Sequence, residues 1–138
     1  MLHTLIGCEV LISNKLGHYL LGLRGPSHFG SGTWALPGGH LEYRERLVDC
    51  ACREMHEELG LVLKPSDLEL VAVTDDTQDK HYVHVTFRLI TPVDTIPSIL
   101  QDEHAQLAFY PLDDLPASLF PPHVPIFNTL KKRTIYCA

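Results

Sequence analysis

Three acidic side chains, Glu54, Glu57 and Glu58, stand close together in a stretch without Gly or Pro. At about 100° per residue they share an arc of about 100° on one helix face. That arc adjoins and slightly overlaps the apolar stripe of Leu47, Ala51 and Met55, so the carboxylates cannot all point into bulk water. Like charges repel, and partial burial raises the cost further. A bound cation, a protonated carboxyl, or pairing with Arg or Lys would each relieve it. Carboxylate oxygens are hard ligands that select Mg²⁺ or Mn²⁺, or Ca²⁺ with more ligands. Mg²⁺ usually also meets phosphate oxygens, so the cluster suggests phosphoryl chemistry. On the three glutamates alone, a solvated acidic face is the ordinary alternative.

The elements that must position this cluster are legible in outline. Apolar spacing from about Arg44 to Leu59, with Gly60 behind it, predicts the principal helix. Leu5 to Ser13 and Tyr19 to Leu23 read as strands joined by the turn residues Asn14 to Gly17, a hairpin pattern. Arg24 to Thr33 is a Gly-rich loop, followed by the short apolar segment Trp34 to Leu36 and a stop at Pro37-Gly38-Gly39. Further strands are expected at Leu68 to Thr74, Tyr82 to Thr91 and Leu107 to Leu112, and a closing helix from about Val124 to Arg133. Val83, Val85, Phe87 and Leu89 alternate with more polar neighbours, as in a strand buried on one face. The Lys131-Lys132-Arg133 run complements the C-terminus of that closing helix. Strands and helices mix without strict alternation, which predicts an α+β domain over residues 1–138, with no repeat or linker.

The stretch from Gly38 to Leu61 carries more than a cluster. Gly39, Glu45, and Arg53-Glu54-Met55-x-Glu57-Glu58-x-Gly60-Leu61 match every fixed and apolar position of the Nudix box. Seven fixed residue types at roughly one in fifteen each make a chance match on the order of one in a million. The flanking Gly32-Thr33-Trp34-x-Leu36-Pro37-Gly38-Gly39-His40-Leu41-Glu42 and His81-Tyr82-Val83 extend the likeness. The chain resembles the small MutT-type nucleoside triphosphate diphosphatases, including the branch that hydrolyses thiopurine nucleotides. Arg44 departs from the pattern, since many members have Gly there.

The resemblance implies a mixed β-sheet sandwiched between helices (α/β/α), the box forming a loop–helix–loop. It implies metal-dependent hydrolysis of nucleoside (deoxy)triphosphates to monophosphate and pyrophosphate, with Mg²⁺ (or Mn²⁺) as cofactor, and a role in sanitising the nucleotide pool. By position, Glu54, Glu57, Glu58 and the Gly38 carbonyl would hold the metal. Gly39 would permit the tight loop, and Arg53 with Glu45 would form a supporting ion pair. Related enzymes take their general base either from the box, here Glu57 or Glu54, or from a later loop. Glu103 is the best-placed loop residue, with Asp102 second. Arg24 could clamp a phosphate, His81 could touch base or phosphate, and Trp34 or Phe109 could stack on a base. Hydrolysis of ADP-ribose or a nucleoside diphosphate-sugar is the alternative in the same class, and a non-catalytic nucleotide-binding module the alternative outside it. A homodimer is expected by likeness alone.

Composition sets bounds. Lys and Arg number 11 against 17 Asp and Glu, a formal net charge of −6. So acidic a chain is a poor candidate for binding a nucleic-acid polymer or an anionic membrane, both of which need clustered positive charge, and a polyanionic substrate must be held by something else, which bound metal would supply. The four cysteines at 8, 50, 52 and 137 form no C-x-x-C pair, consistent with reduced thiols and a cytoplasmic location. Leu5-Ile6-Gly7-Cys8 lacks the flanks of a cleaved leader. The nine histidines show no metal-ligand spacing, and His81 and His84 fall on opposite faces of their strand, so no transition-metal site is expected.

Overall fold

The computed structural model describes residues 3–78 and 80–136. The described residues form two sheets and two helices. A four-stranded mixed sheet has the order β4-β1-β6-β5, from β4 (Gly38–His40), β1 (Leu5–Leu11), β6 (Tyr82–Leu89) and β5 (Leu68–Asp76). A three-stranded antiparallel sheet has the order β3-β2-β7, from β3 (Trp34–Ala35), β2 (Tyr19–Arg24) and β7 (His104–Tyr110). Helix α1 spans Leu47–Leu59 and α2 spans Val124–Lys131.

Strand β1 organises the molecule because its side chains alternate between two cores. Cys8, Val10 and Ile12 pack with Cys50, Ala51, Met55 and Leu59 of α1. Leu11 packs with Ile126 and Phe127 of α2. The sheet therefore lies between the helices, in the α+β sandwich that the sequence predicts.

The expected β1–β2 hairpin is not formed. Asn14 does build the turn, its Oδ1 accepting from the Leu16 and His18 N–H groups, with Gly17 at φ 77°. Pairing stops at the Ser13–Tyr19 bridge, and β2 joins the other sheet. Both edges of β1 are already taken, by β4 antiparallel and by β6 parallel. Strand β4 itself was hidden behind two glycines that read as a stop. Gly38 must be glycine there, since a Cβ would lie 2.2 Å from the Cys8 carbonyl oxygen. Strand β6 is buried on both faces: His84 and Thr86 are as inaccessible as Val85 and Phe87. Strand β7 starts earlier than expected, at His104, because Arg24 pairs with it across a bulge in β2.

Helix α1 begins at Leu47 rather than Arg44. The reason is Arg44, exposed and at φ 63°, a left-handed conformation that no helix can pass through. A side chain there costs about 1 kcal/mol relative to glycine. Arg44→Gly is therefore expected to raise the melting temperature by a few degrees, read by thermal unfolding. At the other end Gly60, at φ 70°, closes the helix through its N–H to His56 O and that of Leu61 to Met55 O. Cys8 and Cys50 are buried and Cys52 is partly buried, all as free thiols, whereas Cys137 lies outside the described residues. No described helix is long and apolar enough to cross a membrane.

Candidate active site

A cleft of about 810 Å³ is lined by Gly38, Gly39, Glu54, Glu57, Glu103 and Arg24 among others. The carboxylates enter from α1, and strand β4, which carries the glycines, is pressed against that helix. A Cβ on Gly39 would stand 2.3–2.6 Å from the Glu54 carboxyl group, so glycine is what lets strand and helix meet. Glu58 is buried behind them. Its Oε2 accepts from the Gly38 N–H at 3.1 Å, and its Oε1 lies 2.9 Å from His104 Nε2. His104 in turn needs the bare backbone of Gly22, where a Cβ would sit 2.0 Å from the ring.

Arg53 ties the acidic groups together. Its Nε and Nη2 reach both oxygens of Glu45 at 2.7 and 3.0 Å, and its Nη1 reaches Glu54 at 2.8 Å and Glu57 at 3.2 Å. A further bond, to the His40 carbonyl at 3.1 Å, links the helix to β4. The Arg53 hydrogen bonds hold the Glu45 carboxyl at about 2. Burial, together with the negative charges of Glu54 and Glu103, pushes Glu58 up to about 9. Burial also raises Glu54, and it lowers His104, the partner of Glu58, to about 4. Arg pairing relieves part of the crowding among these acids, and a divalent cation would relieve the rest. The donors are all oxygen and the glutamates come from one helical turn, so the residues present fit a hard metal ion.

The structure gathers most of the sequence-predicted residues here. Glu103 lines the cleft with its Oε2 buried and unpartnered, while Asp102 turns outward to His28. Arg24 is fixed by its Nε–H to the Phe29 carbonyl and lies 4.8 Å over the Phe120 ring. Three of the candidate substrate contacts are placed elsewhere. His81 is exposed and meets Thr4 Oγ1 at 3.1 Å, outside the cleft, because strand alternation gives the cleft side to Tyr82 and His84 instead. Trp34 packs edge-to-face on Tyr110 at 5.1 Å in the α2 core, and Phe109 packs in the α1 core. Neither lines the cleft.

Sequence reasoning missed a buried group on the cleft floor, Glu9, His84 and His123, whose candidate ligand atoms lie within 4.8 Å of one another. His84 pairs through space with His123 from the far end of the chain, not with His81. His84 Nδ1 donates to Glu9 Oε1, and His123 Nε2 approaches the same oxygen at 3.5 Å. Burial opposes the Glu9 charge, yet the hydrogen bonds from His123 and His84 outweigh it and hold the carboxyl at about 2. The available signal was Glu9 itself, a lone acid inside an otherwise apolar strand.

The sequence pattern of the NUDIX domain matches residues 4–130. A nucleoside triphosphate pyrophosphatase/Nudix hydrolase fusion protein of Bifidobacterium longum is 28% identical over 106 residues, covering 76% of this chain and 22% of that protein. The nucleoside triphosphatase NudI of Klebsiella pneumoniae is 41% identical over 83 residues, 59% of this chain and 57% of that one. The chain thus spans well under two-thirds of the length of these relatives. Among solved structures, a MutT NUDIX hydrolase from Burkholderia pseudomallei superposes with a TM-score of 0.77 at 28% identity, covering 91% of this chain and 97% of the other. With the match running across nearly the whole chain, this protein belongs to the NUDIX domain family.

Proposed function

We propose that this chain is a divalent-metal-dependent pyrophosphohydrolase that cleaves nucleoside triphosphates into a monophosphate and pyrophosphate. The observation that carries this reading is the meeting of Glu54, Glu57 and Gly38 at one cleft that also holds Arg24 and Glu103, with Glu58 bonded to the Gly38 N–H behind them. The names of the Klebsiella and Bifidobacterium relatives favour triphosphates as the substrate class.

Glu54, Glu57, Glu58 and the Gly38 carbonyl would hold Mg²⁺ or Mn²⁺. Bound metal would offset phosphate charge and lower the pKa of an attacking water. The Arg24 guanidinium, held over Phe120, presents its remaining donors to a phosphate, for which its planar fork is suited. Glu103 Oε2, which has no partner among the described residues, accepts the proton of the water that attacks phosphorus. The anhydride P–O bond breaks and pyrophosphate leaves.

Product identification after incubation with Mg²⁺ and a panel of NTPs, dNTPs, ADP-ribose and nucleotide sugars tests the reading. Pyrophosphate from triphosphates is the expected result. Two monophosphates from ADP-ribose alone would move the substrate class, and binding without turnover would make the chain a nucleotide-binding module. Within this mechanism, Glu103→Gln is expected to cut turnover at least tenfold with the melting temperature unchanged. Near-normal rates in that variant would return the base to Glu57 or Glu54.

A further inference from the structure

The cleft that holds the acidic cluster continues onto the floor formed by Glu9 and His84, with Tyr82, Phe29 and Phe120 along its walls. Glu9 is the register partner of Gly38, so the floor adjoins the phosphate end directly. Glu9 is only 3% exposed, and its two oxygens are unequal. Oε1 is engaged by His84 and His123, whereas Oε2 is buried with no partner among the described residues. A buried carboxylate oxygen without a donor is costly unless a ligand completes it.

A transition metal is not that ligand. His123 Nδ1 accepts the Leu36 N–H at 3.0 Å, so the neutral ring carries its hydrogen on Nε2, the atom that faces Glu9. Nε2 therefore has no lone pair to offer, and a metal-ligating imidazole would instead donate from its second nitrogen. The arrangement is a hydrogen-bonded support with both histidines directed at one carboxylate oxygen.

We propose that Glu9 reads the base of the bound nucleotide, its Oε2 accepting a hydrogen bond from an N–H on the pairing edge of the nucleobase. His84 and His123 are positioning residues that orient the carboxylate and leave that one oxygen for the ligand. The aromatic walls receive the faces of the base. Site groups built to bond an N–H reject analogues that lack it, because the buried acceptor is then left unpaired. The inference rests on the nucleotide reading above and deepens it by assigning the base end of the cleft.

The test uses the full chain with Mg²⁺, the four natural nucleoside triphosphates and an abasic ribose triphosphate. For the base with the lowest KM, methylating the pairing-edge N–H is expected to raise KM at least tenfold in the wild type. Glu9→Gln is expected to raise KM for the unmethylated nucleotide at least tenfold and to abolish the methyl discrimination, with KM for the abasic compound moving less than threefold. A smaller methyl effect in the wild type overturns the proposal whether or not the variant folds. An equal KM rise for abasic and base-bearing substrates overturns it too, since that marks a structural role. So does stoichiometric Zn²⁺ bound by the wild type and lost in Glu9→Gln. If no triphosphate is turned over, equilibrium binding of nucleoside diphosphates and their methylated forms gives the same comparison. Methyl discrimination there would uphold Glu9 while the proposed hydrolysis falls, and its absence would overturn Glu9 as well.

Discussion

Glu57→Gln is expected to lower turnover about a thousandfold while leaving the fold intact. Glu57 is exposed on α1, and its protein contact is the Arg53 guanidinium at 3.2 Å. The substitution therefore removes one negative charge and one hard oxygen donor without opening a cavity. Its melting temperature should stay within a few degrees of the wild type. Its Mg²⁺ affinity, followed by calorimetric titration, should fall in parallel with the rate, and excess Mg²⁺ should restore little. Chelation of the wild-type protein should reproduce the loss and added Mg²⁺ reverse it. Retained activity in Glu57→Gln at low Mg²⁺ would remove this carboxylate from the metal site.

Arg53→Ala is the second large effect, and it should show in stability as well as rate. Losing the guanidinium strands Glu45, whose side chain is only 14% exposed, and unties Glu54 and Glu57 from the β4 carbonyl of His40. The expected cost is about 2 kcal/mol of stability, below the roughly 3–5 kcal/mol of a fully buried pair because both side chains keep some contact with solvent. Activity should fall about ten- to a hundredfold, as for other groups that orient metal ligands. Loss of positioning would appear as a raised Mg²⁺ requirement, partly rescued by Arg53→Lys, whereas loss of stability alone would leave the Mg²⁺ dependence in place. The acid profile is a further check. Arg53 depresses the folded-state Glu45 carboxyl from 4.5 to about 2, so that stabilisation is fully present above pH 4.5 and is lost as the pH falls toward 2. Urea titrations should show wild type and Arg53→Ala far apart at neutral pH and converging across that window. A constant gap would contradict the pairing.

The phosphate end of the cleft was legible in the sequence because its residues are neighbours in the chain. Glu54, Glu57 and Glu58 share a helical turn, so periodicity alone brings them together, and Glu45 stands in the turn just before α1, within reach of the Arg53 side chain. The base end was not, because Glu9, His84 and His123 meet only through a parallel β1–β6 pairing and the turn that leads into α2. Alternation in β6 misled for a related reason. His84 and Thr86 read as the wet side of a strand, but α2 and its flanking turn cover that side. The β1–β2 hairpin failed where local turn chemistry was sound, since the competition for the edges of β1 is set by strands far along the chain. Arg44 was visible as a departure from the box, but the left-handed backbone that makes glycine suitable there was not.

Strand β1 faces α1 through Cys8 and Val10 and the cleft floor through Glu9. Sliding its register by one residue would drive a carboxylate in among Met55 and Leu59 and swing thiol and valine onto the floor. Insertions and deletions in this strand therefore damage folding and the ligand floor together. The exposed connector around Asp94 to Ile99, which forms no strand of either sheet, is where a change of length should be tolerated best.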